Sequence, residues 1–159
     1  MEQKTLSKWL KLIIIGVGIC GLVVYLLVIP SFGRSLTDEY PEFSNRYLPW
    51  LIFLWATGIP CYAALFLGWR ISTNIEKNQS FSHVNAKYLK WISCLAAIDS
   101  IFFFIGNVVL LLVNMNHPGI ILLSLMVVFA GFAVTIIAAT LSHLVQKAAA
   151  LQEENDLTI

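Results

Sequence analysis

The residues in this sequence with chemistry to offer are few and scattered. Asp99 is an acid set within an apolar run, with Ser100 beside it and Asn107 two helical turns further on. Such a carboxyl can act as a proton-responsive or ion-contacting group. It can equally be a structural tie, hydrogen-bonded to Thr135 or Thr140 at comparable depth in a later apolar run. An ionised Asp at the centre of a spanning helix costs roughly 2.5–3.5 kcal/mol, so Asp99 is expected to face protein or a wet cavity. Because it stands off-centre, about two turns from Trp91, the structural tie is the favoured reading. Cys20, Cys61 and Cys94 all fall in apolar runs with no C-x-x-C spacing, and they are expected to behave as small hydrophobes. His83 and His143 have no second ligand at metal spacing. No paired acid, H-E-x-x-H motif or nucleophile with an evident base is present, so neither catalysis nor a metal or cofactor is expected.

The elements that must hold these residues follow from composition. Of 159 residues, 58% are hydrophobic and only 12% charged, about half the charged share of an ordinary soluble domain. That is too little charge to clothe a water-exposed surface, so lipid must cover much of it. A net charge of +1 argues against direct contact with nucleic acid, which needs clustered Lys and Arg. Four apolar stretches, 10–29, 48–69, 91–113 and 120–144, are each long enough to cross the ~30 Å hydrocarbon layer as a helix. A helix satisfies its backbone polar groups internally, as hydrocarbon demands. The predicted fold is all-α: a polytopic four-transmembrane-helix bundle, one membrane domain over 1–159. The first stretch exceeds the ~7–15 apolar residues of a signal peptide, so a retained anchor is expected.

Orientation is read from the basic residues. Lys4, Lys8 and Lys11 precede the first stretch, Arg70, Lys77, Lys87 and Lys90 lie between the second and third, and Lys147 follows the fourth; only Arg34 and Arg46 lie on the other side. The positive-inside rule then predicts both termini and the 70–90 loop in the cytoplasm, an N-in/C-in arrangement. Trp9, Tyr47, Trp50, Trp69 and Trp91 fall at stretch ends, where amphipathic rings favour headgroups. The sequon Asn78-Gln79-Ser80 falls on the inner side and reads as chance, in keeping with a bacterial inner-membrane protein.

Outside the apolar stretches, residues 30–47 are expected to be a connector beginning at Pro30. The turn at 114–118 is short enough to force an antiparallel helix pair. In the 70–90 loop, Ile71 and Ile75 extend the second helix, Ser82 is a predicted N-cap, and Val84, Tyr88, Leu89 and Ile92 continue a helical face. Past the fourth stretch, Leu141, Leu144, Ala148 and Leu151 predict an apolar seam. The acids Glu153, Glu154 and Asp156 follow, near a helix end whose dipole disfavours them, so a basic neighbour is expected, with Arg70, Lys77, Lys87 and Lys90 on the same side. Gly16, Cys20 and Gly21, then Pro60, Ala64 and Gly68, then Gly131, Thr135 and Ala139, mark expected close approaches of helices, in a compact bundle or a homo-oligomer.

The ending Leu151-Gln-Glu153-Glu154-Asn155-Asp156-Leu157-Thr-Ile159, with Phe81-Ser82-His83-Val84-Asn85 and Leu89, resembles a bacterial family of small four-helix membrane proteins catalogued as a domain of unknown function, DUF2975. The resemblance brings no reaction or ligand. From the gene pairing typical of that family it implies a small cytoplasmic helix-turn-helix regulator as partner. The expected function is therefore a regulatory membrane protein whose inner loop and tail bind a soluble partner at Arg70, Phe81, Ser82, Asn85, Leu89, Leu151, Glu153, Glu154, Asn155, Asp156, Leu157 and Ile159. The alternatives are a tail docked on the protein's own loop, and a small transporter or channel subunit using Asp99.

Overall fold

A computed structural model describes residues 3–116 and 118–157, apart from the side chains of Glu42, Phe43, Asp156 and Leu157. Its regular elements are helical: α1 (Gln3–Val23), a π-helical turn (Val24–Val28), α2 (Ile29–Glu39), a 3-10 turn (Pro41–Arg46), α3 (Tyr47–Glu76), α4 (His83–Leu112) and α5 (Pro118–Leu157). Four helical rods are long and apolar enough to cross a membrane, the first formed by α1, the π turn and α2 together.

Pro30 does not end the first rod, and residues 30–47 are not a plain connector. Proline lacks an amide hydrogen and crowds the carbonyl four residues back, so it breaks an ordinary α-helix. Here the π turn lies immediately before it: the Ile29 amide donates to Val24 O, five residues back, and Pro30 falls in the first turn of α2. In that register the Tyr25 carbonyl would await the amide that Pro30 lacks. The Trp55 indole supplies the hydrogen instead, Nε1 to Tyr25 O at 2.8 Å. Beyond α2, Arg46 donates to Val113 O at 3.2 Å and Asn114 O at 2.7 Å, placing a cation on the negative end of α4.

Two asparagines close helices. After α3 the amide of Asn78 bonds Ile75 O and that of Gln79 bonds Asn74 O; after α4 Asn114 bonds Leu111 O and Met115 bonds Leu110 O. Both are Schellman closures, which need a left-handed residue just past the helix; Asn78 and Asn114 supply it with φ of 60° and 54°.

Among the described residues the long helices meet in chain order, α1 on α3, α3 on α4 and α4 on α5, and α1 makes no close backbone approach to α4 or α5. The expected bundle is thus an open row rather than a closed ring. Its most extensive contact is the antiparallel α4–α5 seam. Ala86, Ser93, Ser100 and Asn107 recur every seven residues on α4 and are all buried. On α5 the buried residues are Ser124, Val128, Ala138, Ser142 and Ala149, whose separations of four, ten, four and seven fit the heptad of a coiled-coil seam. Small side chains let the backbones approach and the hydroxyls cross: Ser142 Oγ donates to Ala86 O at 2.7 Å and Ser93 Oγ to Thr135 O at 2.9 Å. The seam past the membrane runs on Ser142 and Ala149, not on the predicted Leu141, Leu144 and Leu151, which are exposed. Likewise Ala138 is buried where Ala139 was expected, and Gly16 has no neighbour within 4 Å of its added Cβ position.

At Gly131 a Cβ would run into the Ser100 hydroxyl. Gly131→Ala is expected to destabilise the seam by about 1–3 kcal/mol, the usual cost of overpacking. Thermal unfolding in detergent should show a smaller loss when Ser100→Ala is already present, a coupling that independent sites would lack.

Candidate sites at the terminal end and in the apolar layer

The end of the row that carries both chain ends and the 77–82 turn is built around Asn85, only 1% exposed. Its Oδ1 accepts from Asn74 Nδ2 at 2.8 Å, and its Nδ2 donates to Gln79 O at 2.9 Å and Ser80 O at 3.1 Å. Ser82, extended at φ −131° and ψ 149°, accepts from the Asn85 amide and caps α4 as its sequence position predicts. The Phe-Ser-x-x-Asn pattern is therefore a turn-building device, with Leu89 half-buried behind it and Phe81 59% exposed at its tip.

The tail does not fold back. α5 is 40 residues, about 60 Å at 1.5 Å per residue, twice the hydrocarbon thickness, and the tail is its last turns. Leu151 is exposed, as are Glu153, Glu154 and Asn155. Glu153 Oε1 meets His83 Nε2 at 3.3 Å. Arg70 is not drawn to these acids; its guanidinium lies over the Phe66 ring, 5.1 Å from the centroid. Ile159 and the side chains of Asp156 and Leu157 lie outside the described residues.

Sequence reasoning missed a second fastening at this end. Ser7 and Ser72 are fully buried and exchange hydrogen bonds, Ser7 Oγ to Ser72 O at 2.8 Å and Ser72 Oγ to Ser7 O at 2.9 Å. One turn along on each helix, Lys11 Nζ pairs with Glu76 Oε2 at 2.5 Å and lies 5.5 Å from the Trp69 centroid. Glu76 stands seven residues past Trp69, outside the apolar stretch. Its hydrogen bond to the Lys11 ammonium holds its carboxyl below the usual glutamate range.

In the apolar layer Asp99 turns to α3 rather than to α5. Cys61 Sγ donates to Asp99 Oδ2 at 3.6 Å, while Oδ1 is buried without a partner among the described residues. The expected ties to Thr135 and Thr140 do not form, because each hydroxyl bonds a carbonyl of its own helix, Gly131 and Ile136 respectively. Thr57 Oγ1 and Tyr25 OH sit 3.0 Å apart, with Tyr25 also beside Cys61. Three rods thus contribute to one polar cluster, and Cys61 serves as a donor rather than as the inert apolar filler expected of it. Asn107 lies elsewhere, donating to Phe103 O at 2.9 Å and accepting from Asn116 Nδ2 at 3.0 Å. Among the described residues no three His, Cys, Asp or Glu side chains converge as a metal site would need.

These features define a helical, multi-pass membrane protein with a polar-knotted terminal end. The chain belongs to the DUF2975 family, described as "Protein of unknown function", which matches residues 31–159. It is also 32% identical over 162 residues to the "Uncharacterized membrane protein YoaS" of Bacillus subtilis (strain 168), covering 99% of both chains. No solved structure matches.

Asn85→Ala removes three side-chain hydrogen bonds and strips Asn74 of a partner; at about 1 kcal/mol each, a stability loss of about 3 kcal/mol is expected in detergent unfolding. For Glu76, a carboxyl whose value is lowered on folding stabilises the protein above its unfolded value. That contribution is lost as pH falls through the folded value. An acid titration of stability should therefore fall more steeply for the natural chain than for Glu76→Gln.

Proposed function

We propose that the terminal end is cytoplasmic, in a bacterial inner membrane, and that it is a docking platform for a soluble regulatory protein. The supporting observation is the run of α5 beyond the membrane: it carries exposed Leu151 and the acids Glu153 and Glu154. Exposed Phe81 stands on the turn at that same end. The turn beneath is held by Asn85 and the Ser7–Ser72 pair, so the platform needs no ordering on binding. Eight of the ten Lys and Arg lie on this side, the side the positive-inside rule assigns to the cytoplasm. The family resemblance suggests a small helix-turn-helix regulator as the occupant. In this reading the protein binds and does not catalyse.

The His83–Glu153 contact supports a second reading, in which the last turns of α5 brace α4 and need no partner. Deleting 151–159 separates the two. Docking requires that the partner no longer co-purifies while insertion and thermal stability persist. Bracing requires a lower melting temperature of the isolated protein. A truncated chain that keeps its partner would remove the docking proposal.

The unpartnered Asp99 Oδ1 supports a transport reading, in which this carboxyl contacts an ion or proton. Flux in proteoliposomes that is absent, or is unchanged by Asp99→Asn, would eliminate it.

A further inference from the structure

Between α3 and α4 at the terminal end lies a cleft of about 430 Å³ lined by Leu67, Val84, Lys87, Tyr88 and Trp91. Its depth in the membrane follows from the sequence. Leu67 and Trp91 belong to the last apolar turns of their helices, and Lys87 stands one turn further out on α4. The cleft is therefore apolar where it meets hydrocarbon and cationic where it meets headgroups. Trp91 remains 54% exposed at the apolar end of the cleft, and Val84, nearly a turn further out than Lys87, remains 51% exposed.

Lys87 makes no ion pair among the described residues. Of the acids on neighbouring elements, Glu76 pairs with Lys11 and Glu153 with His83. An ammonium on a helix end near the membrane surface attracts anionic lipid, and its alkyl stem covers apolar surface while the charge reaches the headgroups. Here it is joined to a shaped cleft with a Tyr and a Trp at its rim.

We propose that this cleft binds an anionic phospholipid, with an acyl chain against Leu67 and Trp91 and the phosphate at Lys87 and the Tyr88 hydroxyl. The site is independent of whether a soluble partner docks on α5. A neutral phospholipid offers the same chain without net charge, and glycerol phosphate offers the charge without the chain, so each tests one half of the site.

The experiment uses the full chain in detergent, read by retained lipid in native mass spectrometry and by melting temperature. Phosphatidylglycerol should remain bound and raise the melting temperature, whereas phosphatidylcholine and glycerol phosphate at equal concentration should not. Lys87→Gln should weaken phosphatidylglycerol binding about tenfold, as loss of one charge-assisted contact does, and Lys87→Arg should restore it. Lys90→Gln removes an equal charge outside the cleft and should stay within about twofold of the natural chain. Equal stabilisation by phosphatidylcholine or by glycerol phosphate would overturn the proposal. So would equal losses in Lys87→Gln and Lys90→Gln, which would mark a diffuse surface charge.

Discussion

Hydrocarbon offers no hydrogen bonds, so every polar group placed in it must find its partner within the chain. That constraint explains why described polar side chains in the apolar layer turn toward main-chain carbonyls. Ser93 and Ser142 reach across the α4–α5 seam, Thr135 and Thr140 turn to their own helix, and Trp55 serves the carbonyl that Pro30 leaves without a hydrogen. Asp99 stands apart. It has one weak thiol donor and one buried oxygen without a partner among the described residues, which is why the alternative ion reading rests there.

The same constraint decides what the sequence discloses. Length and hydropathy reveal the four apolar stretches because the cost of a wrong residue in lipid is large. The Ser82 cap is legible because capping is local chemistry within three residues. Which face of a helix meets protein is not legible from hydrophobicity, since lipid and a neighbouring helix are equally apolar. The seam on Ser142 and Ala149 therefore lies beside the predicted leucines, and buried small and hydroxyl residues, at sevens along α4, were the usable signal. The helix through Pro30 escaped notice for a different reason. A π turn is invisible to composition, and its compensating donor, Trp55, is 30 residues away in sequence. The Ser7–Ser72 exchange is longer in range still, joining residues 65 apart.

The molecule thus divides into a fastened end and an open row. At the terminal end Asn85, the paired serines and the Lys11–Glu76 contact lock α1, α3 and α4. The opposite end is tied by Arg46 to the close of α4. Between them, among the described residues, the long helices meet in chain order only, leaving broad apolar faces for lipid. The terminal end carries exposed Leu151, Glu153 and Glu154 on α5, together with eight of the ten Lys and Arg.

All of this rests on four crossings, which put the 77–82 turn and both chain ends on one side and the α2 segment on the other. Single cysteines at Gln79, Glu153 and Asp38, in a chain with Cys20, Cys61 and Cys94 replaced by alanine, can be labelled in sealed vesicles with an impermeant maleimide. Gln79→Cys and Glu153→Cys should react from one side, and Asp38→Cys only from the other. Reaction of Gln79→Cys and Asp38→Cys from the same side, or of Gln79→Cys and Glu153→Cys from opposite sides, would contradict the four-crossing topology.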